Sequence, residues 1–202
     1  MFVQGPPLIG LMGRKRSGKD FTAAILGQRL GFRRLAFADA VRDFVLACDP
    51  LIGDRTASKP LRVSDVVDAF GWETAKAHPE VRRTLQVYGM AARELDADFW
   101  IRPVLMEAAR LRDEGHAVVI TDVRFVNEVS AIVNDFGRLG FVSRPEVDAL
   151  PLDEADAHPS EAMAVSGLGR TFADYLIINT AGGRGVAEFV GQVSADYLGR
   201  LA

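Results

Sequence analysis

Residues 11–21, LMGRKRSGKDF, decide the fold of this chain. They have the spacing G-x-x-x-x-G-K of a phosphate-binding loop, which here runs from Gly13 to Gly18 and Lys19. In such loops the residue after the lysine is Ser or Thr, whose hydroxyl binds Mg²⁺. In this sequence that residue is Asp20. The match is therefore either a chance spacing or a phosphate loop with a carboxylate at the metal position.

The sequence on both sides of the loop favours a phosphate loop. Residues 8–12 form a short apolar run typical of a buried parallel strand, and the segment after Asp20 predicts a helix that ends at Leu30. Glycine permits the tight turn, and the N–H groups of the loop and of the helix N-terminus then face the phosphates. We therefore predict a nucleotide site at Gly13, Arg14, Lys15, Arg16, Ser17, Gly18, Lys19, Asp20 and Phe21.

Two residues of the loop have a more specific expected role. Lys19 bridges the terminal phosphates, with Arg14, Lys15 and Arg16 adding positive charge beside them. Asp20 has two interpretations. Its carboxylate binds Mg²⁺ directly or through a water, since hard cations prefer oxygen ligands, or it only caps a helix, whose N-terminus stabilises negative charge.

Composition limits the class of protein. The net charge of −3 gives no basic face for a nucleic-acid polymer, and a single cysteine excludes an internal disulfide. No segment approaches the ~20 apolar residues that span a membrane. We expect a cytoplasmic protein, with Cys48 at a core position of a helix.

Predicted strands alternate with predicted helices along the chain. Strands are expected at 8–12, 34–38, 117–121, 140–143 and 175–178, and this alternation predicts an α/β fold with a parallel five-stranded sheet covered by helices on both faces. Helices are expected after Asp20, after Asp39 as N-cap, at 64–70, 79–95 and 99–112, after residue 121, and at 186–201. We expect a single domain, residues 1–202, with a helical insert at about 49–100 that begins with a loop, and a lid-like segment at about 144–170.

The loop and several later segments of the sequence resemble those of a known family. GRKRSGKDF is similar to the loop of bacteriophage deoxynucleoside monophosphate kinases, which belong to the P-loop kinase superfamily, and to that of animal-type phosphomevalonate kinases. Five further segments resemble the phage family in order: FAD (37–39), LQ…G…R (85–93), DADFW (96–100), DVRFVNE (122–128) and HPSE (158–161). The sequence departs from the family at residues 40–42 and 90–91, which leaves the acceptor base open.

The helix predicted at 79–95 carries a polar stripe. Arg82, Gln86, Gly89 and Arg93 are spaced i, i+4, i+7 and i+11, which places them on one face. Guanidinium groups pair bidentately with phosphate, and glycine is otherwise a poor residue for a helix interior. The stripe is therefore either an acceptor-phosphate site or a solvated surface.

Other candidates lie where predicted strands end. Asp122 follows a strand and is expected to hold a Mg²⁺-bound water, and Arg124 to face the phosphates. Asn127 is either a helix cap or, with Glu128, part of the acceptor site that the resemblance implies. Asp39 is likewise a cap or a substrate ligand.

The lid-like segment also carries candidate residues. These are Arg144 and Arg170 at its ends and, in the motif that resembles the family's lid, His158, Ser160 and Glu161. We expect one of the two arginines to move onto the transferring phosphate. His158 is either a base or a lid contact.

Together these observations predict an ATP- and Mg²⁺-dependent kinase that converts a deoxynucleoside monophosphate to the diphosphate. Two alternatives remain: a kinase of another small phosphorylated metabolite such as phosphomevalonate, and a non-catalytic nucleotide-binding switch. An acceptor stripe disfavours the switch, which needs only one nucleotide site. The sequence leaves open whether the protein is a monomer or a homodimer, and a phage origin would place it in the host cytoplasm.

Overall fold

A computed structural model describes residues 5–53, 60–152 and 159–198 of the chain. By their internal contacts the residues divide into two compact units. The first, which we call the sheet unit, comprises Met1–Ala36 and Val104–Ala202, and the second, the helical unit, comprises Phe37–Pro103. The helical unit therefore begins about twelve residues before the insert that the sequence predicts. In the described ranges no helix is long and apolar enough to cross a membrane.

The sheet unit is built on five parallel strands. They are β1 (Leu8–Met12), β2 (Arg33–Leu35), β5 (Val118–Ile120), β6 (Arg138–Ser143) and β7 (Tyr175–Ile178), in the order β2-β5-β1-β6-β7. Every residue of the central β1 is buried. This confirms the predicted parallel five-stranded sheet, and it places the carboxyl ends of all five strands at one edge.

Helices of the sheet unit cover both faces of the sheet. They are α1 (Lys19–Leu30), most of α5 (Ile101–Asp113), α6 (Val126–Asn134), α7 (Pro145–Asp148), α8 (Ala162–Val165), α9 (Leu168–Phe172) and α10 (Arg184–Leu198), with a 3₁₀ turn at Pro159–Glu161. One core joins β1 to α1 and α10 through Leu11, Leu26 and Phe189. On the other face α6 packs so closely that a Cβ at Gly10 would lie 2.7 Å from Ile132 Cδ1.

The helical unit has its own core. Its elements are α2 (Phe37–Cys48), a short antiparallel pair β3 (Leu51–Ile52) and β4 (Leu61–Arg62), α3 (Val63–Ala75) and α4 (Pro79–Leu95). Val45, Val63 and Val81 are buried at its centre, with Leu85 and Tyr88 packed against them. The two ends predicted for α4 are confirmed, and Pro79 suits the first helical position.

Several predicted boundaries are wrong for local reasons. The second strand ends at Leu35 because α2 already begins at Phe37, so Asp39 lies inside the first turn and is not the N-cap. Its carboxylate accepts a hydrogen bond from Arg42 Nη1 at 3.1 Å. The helix predicted to stop at Gly71 does end there, since Gly71 has the non-helical angles φ 70° and ψ 162°, and a second helical stretch follows it to Ala75 within α3. Cys48 is exposed, because it is the last residue of α2.

The lid-like segment is partly helical where it is described. It contains α7, the 3₁₀ turn, α8 and the start of α9, whereas the sequence predicts a loop. His158 lies outside the described residues, as do residues 199–201 at the end of the predicted last helix.

Candidate active site

The loop between β1 and α1 requires glycine at two positions. Gly13 has φ 138°, and a Cβ there would lie 2.2 Å from the carbonyl oxygen of Val142. Gly18, the N-cap of α1, has φ 101°, and its Cβ would lie 2.1 Å from Asn179 Nδ2. Both positive φ values are unfavourable for other residues, and both positions lack space for a side chain. The loop conformation therefore explains the glycine spacing.

Lys19 lies against this loop. Its Nζ donates hydrogen bonds to the carbonyl oxygens of Gly13 (2.7 Å) and Arg14 (2.9 Å). Burial and the positive charge of Arg124 lower the pKa of Lys19 to about 8, while Asp20 and Asp122 act in the opposite direction. Lys19, Arg124 and the two aspartates therefore share one electrostatic environment, as expected for groups that face the same ligand.

The two aspartates fit a magnesium ion that also has phosphate ligands. Asp20 is 81% exposed at its side chain, with Arg34 Nε at 3.7 Å. Among the described residues no group of three or more acidic, His or Cys side chains could hold a metal by itself. Mg²⁺ is usually bound through one or two carboxylates together with waters and substrate phosphates, so two carboxylates suffice. Gly18 and not Asp20 is the N-cap of α1, but Asp20 lies in the first turn of the helix, where the helix dipole stabilises its negative charge.

The basic residues of the loop are not equivalent. The guanidinium of Arg14 is buried, and its Nη1 donates to the carbonyl oxygens of Val147 (3.0 Å) and Leu150 (3.3 Å), at the end of α7. The expectation that this charge faces the phosphates is therefore wrong for Arg14 in this structure. Lys15 is partly buried, and Arg16 is exposed with a φ of 66°.

Two further loop residues differ in burial. Ser17 is fully buried, and its Oγ has no hydrogen-bond partner within the described part of the chain. Phe21 is half exposed on α1.

The turn after β5 is fixed by a buried carboxylate. Glu128 Oε2 accepts hydrogen bonds from the backbone N–H groups of Arg124 (2.7 Å) and Phe125 (3.1 Å), and only 1% of Glu128 is exposed. Phe125 is the N-cap of α6, so the expectation that Asn127 caps this helix is wrong. Glu128 therefore stabilises the turn that presents Arg124.

Arg124 is also held through its side chain. Its Nη1 donates to Glu161 Oε1, and the Glu161 carboxylate is buried at the end of the 3₁₀ turn. The structure thus brings together two predicted candidates that are 37 residues apart in sequence.

The arginines at the ends of the lid-like segment make separate local contacts. Arg144 pairs with Glu146 (3.5 Å) on the surface. Arg170 Nη2 donates to Ser143 Oγ (3.0 Å) and to Asp148 Oδ2 (3.2 Å), and the guanidinium packs over the ring of Phe141. Arg170 and Arg14 therefore both contact the segment around α7. Nothing is described for the side chain of Ser160.

In the helical unit, the predicted polar stripe of α4 is exposed at one end and partly buried along the rest. Arg82 is exposed, and Gln86, Gly89 and Arg93 are partly exposed. The Gly89 carbonyl accepts a hydrogen bond from Trp100 Nε1 (2.9 Å), and a Cβ at Gly89 would meet Val41 Cγ1 at 3.7 Å, an ordinary contact. The DADFW segment thus supports α4 through the buried Trp100.

One residue that contacts the loop is not among the site residues predicted from the sequence. Asn179 follows β7, and its Nδ2 donates to the carbonyl oxygen of Ser17 at 2.8 Å. The available signal was its position: it is a polar residue directly after an apolar strand, at the sheet edge where α/β folds bind ligands.

The chain is similar to one curated viral protein. It is 29% identical to a protein of Acanthamoeba polyphaga mimivirus that is provisionally named a deoxynucleotide monophosphate kinase. The alignment spans 213 residues and covers 92% of this chain and 93% of that protein. No family model matches the chain.

Solved structures share the fold at lower identity. A dephospho-CoA kinase from Campylobacter jejuni superposes with a TM-score of 0.52 at 15% identity, covering 95% of this chain and 97% of that one. TT1252 from Thermus thermophilus superposes with a TM-score of 0.55 at 17% identity, covering 96% and 98%. The α/β fold with its five-stranded parallel sheet is therefore shared with these two proteins.

Proposed function

We propose that the protein is an ATP- and Mg²⁺-dependent kinase that converts a deoxynucleoside 5′-monophosphate and ATP to the diphosphate and ADP. The observation that carries this proposal is the loop at residues 13–19, in which two glycines in positive-φ conformations and the N-terminus of α1 surround a partly buried lysine. The similarity to the mimivirus protein over nearly the whole chain supports a nucleotide as the acceptor.

The loop would bind the donor phosphates through its backbone. The first N–H groups of α1 lack intrahelical partners, and the helix dipole favours an anion there. Lys19 would exchange the carbonyl oxygens of Gly13 and Arg14 for phosphate oxygens. Because its pKa is already lowered to about 8, the nearby anion would raise this pKa again and keep the ammonium charged.

Asp20 and Asp122 would hold Mg²⁺, with waters and phosphate oxygens completing its coordination. When bound, the ion neutralises charge on the donor phosphates. Arg124, which already acts on Lys19 electrostatically, would stabilise the negative charge that develops during transfer. Phosphoryl transfer depends mainly on such positioning and charge neutralisation, so no side chain needs to act as a strong base.

The acceptor would be recognised by the residues that the family resemblance implies. On α4 these are Gln86, Gly89 and Arg93. Arg82 and Arg93 are eleven residues apart, about 16 Å along the helix axis, which is too far for both to bind one phosphate unless their side chains converge. We assign the acceptor phosphate to Arg93. Asp39 and Asn127 are further candidates for this role, whereas the buried Glu128 would act only by fixing the turn after β5.

A coupled assay of ADP release tests this function. The substrates are the four deoxynucleoside monophosphates, their ribose counterparts and phosphomevalonate, each with wild-type protein and with Lys19→Ala. We expect the highest turnover with a deoxynucleoside monophosphate and its loss in the variant. If phosphomevalonate is the only substrate that is turned over, the acceptor is phosphomevalonate and not a deoxynucleoside monophosphate. ATP binding without turnover on any acceptor would overturn the kinase and favour a switch.

A further inference from the structure

Asn179 is fixed in place by the sheet. Its backbone N–H donates to the carbonyl oxygen of Ser143 at 2.8 Å, so it continues the pairing of β6 with β7 by one residue. Only 9% of Asn179 is exposed. The backbone of Asn179 is therefore fixed at the strand end, and its buried side chain has few alternative conformations.

The side-chain amide of Asn179 meets the phosphate loop at two adjacent residues. Nδ2 donates to the carbonyl oxygen of Ser17, 162 residues away in sequence. The same nitrogen occupies the space beside Gly18 that a Cβ would need. Since the partner is a carbonyl, the nitrogen and not the oxygen of the amide must face the loop.

This contact sets the direction of a loop N–H group. The carbonyl of Ser17 and the N–H of Gly18 belong to one planar trans peptide and point in opposite directions. Holding the carbonyl towards Asn179 therefore turns the Gly18 N–H away from Asn179. Oriented N–H groups are what binds phosphate in a loop of this kind.

We infer that Asn179 is a positioning residue of the phosphate loop, which orients the Ser17–Gly18 peptide for binding a polyphosphate. The inference rests on the proposed function only in requiring that the loop binds polyphosphate. It adds to that proposal the residue directly after the last strand, which acts through the loop without touching the reacting atoms.

Two substitutions separate positioning from a general effect on folding. Asn179→Ala removes the donor, and Asn179→Asp keeps the shape but turns a carboxylate towards the Ser17 carbonyl. Asn134→Ala, at the exposed end of α6, is the matched control. The probe is inorganic tripolyphosphate, with affinity measured by calorimetry and thermal unfolding measured in parallel at each pH.

At pH 8 we expect Asn179→Ala to weaken tripolyphosphate binding about three- to tenfold, the usual range for one lost hydrogen bond. Asn179→Asp should weaken it more than tenfold, because its charge repels both the carbonyl and the ligand. As the pH falls through the carboxyl pKa, the protonated group can donate to Ser17. The tripolyphosphate affinity of Asn179→Asp relative to wild type should then recover. For the control Asn134→Ala, the same ratio of affinities should not change with pH.

Four results would show whether the inference, the proposed function or both are wrong. If wild type binds tripolyphosphate and both Asn179 variants bind it equally well at pH 8, the inference is wrong while the proposed function stands. If the variants lose only thermal stability, Asn179 is structural and the inference is again wrong. If wild type binds no tripolyphosphate, both the inference and the proposed function are wrong. Binding that depends on Asn179 without any kinase turnover would support the inference and overturn the proposed function.

Discussion

The phosphate loop and helix α4 both carry conspicuous glycines, but for different reasons. Gly13 and Gly18 have positive φ values and no space for a Cβ, so the protein's own packing accounts for them. Gly89 lies in a regular helix and has room for a methyl group against Val41. The loop is therefore explained by the folded chain alone. Glycine on α4 costs helix stability without an evident steric need, and this makes a bound acceptor the explanation to test.

The largest expected effect is that of a substitution in the phosphate loop. Lys19→Ala should lower kcat by at least about a hundredfold, because it removes the partly buried positive charge that we propose neutralises the transferring phosphate. The fold should persist, as judged by circular dichroism. Lys76→Ala, which removes an exposed lysine paired with Glu73, is the control and should leave kcat unchanged. A near-native kcat in Lys19→Ala would exclude the loop as the catalytic site.

On α4 the expected effect is smaller and specific to the acceptor. Arg93→Ala should raise the acceptor KM about ten- to a hundredfold, the loss expected for a charge-assisted bidentate contact, while ATP binding stays nearly constant. Arg82→Ala on the same stripe should change the acceptor KM much less. Weaker ATP binding with an unchanged acceptor KM in Arg93→Ala would show that the acceptor site is misplaced.

A substitution at Glu161 tests whether turnover depends on the buried carboxylate that binds Arg124. Glu161→Gln keeps the shape but removes the charge that holds Arg124, and we expect kcat to fall about tenfold with little change in the ATP KM. Glu107→Gln, which breaks an exposed pair with Arg110, should have no effect. A rise in activity in Glu161→Gln would mean that Glu161 competes with phosphate for Arg124.

The lowered pKa of Lys19 predicts two opposite dependences on pH. In the nucleotide-free protein the ammonium is present below about pH 8 and is lost above it, so ATP affinity should fall towards tenfold per pH unit above that value. Stability should instead rise between pH 8 and 10.5, because the unfolded lysine binds a proton that the folded one has released. Calorimetry and thermal unfolding from pH 7 to 10 measure both. Lys19→Ala should lose both trends, and a variant that keeps them would assign them to another group.

The smallest expected effect concerns the two kinds of glycine directly. Gly89→Ala should raise the free energy of unfolding by about 0.5–1 kcal/mol, since alanine favours the helix, and it should raise the acceptor KM if the acceptor lies against this face. Gly18→Ala should destabilise the protein instead, because of its φ and the Asn179 contact. Urea unfolding measures both. A Gly89→Ala protein with an unchanged acceptor KM would leave the α4 stripe as an ordinary surface.

The sequence predicted what depends on local pattern. The loop spacing and the apolar runs were sufficient for the five parallel strands, and both ends of α4 were predicted as well. Asp39 was misplaced because a helix that starts at Phe37 and one that starts at residue 40 have nearly the same pattern of apolar residues. Contacts between distant segments could not be derived, and these include the roles of Arg14 at the end of α7 and of Asn179 at Ser17, set by strand order and side-chain direction.

The two loop glycines differ in what blocks a side chain, and this has an evolutionary consequence. At Gly13 the obstacle is a backbone carbonyl, which no substitution at Val142 can remove. At Gly18 it is the side chain of Asn179, which a second mutation can shorten. Among relatives, position 13 should therefore be invariant. Position 18 should vary only rarely, and in the lineages where it does, position 179 should have changed first to a smaller residue, which makes the pair a detectable case of covariation across nearly the full length of the chain.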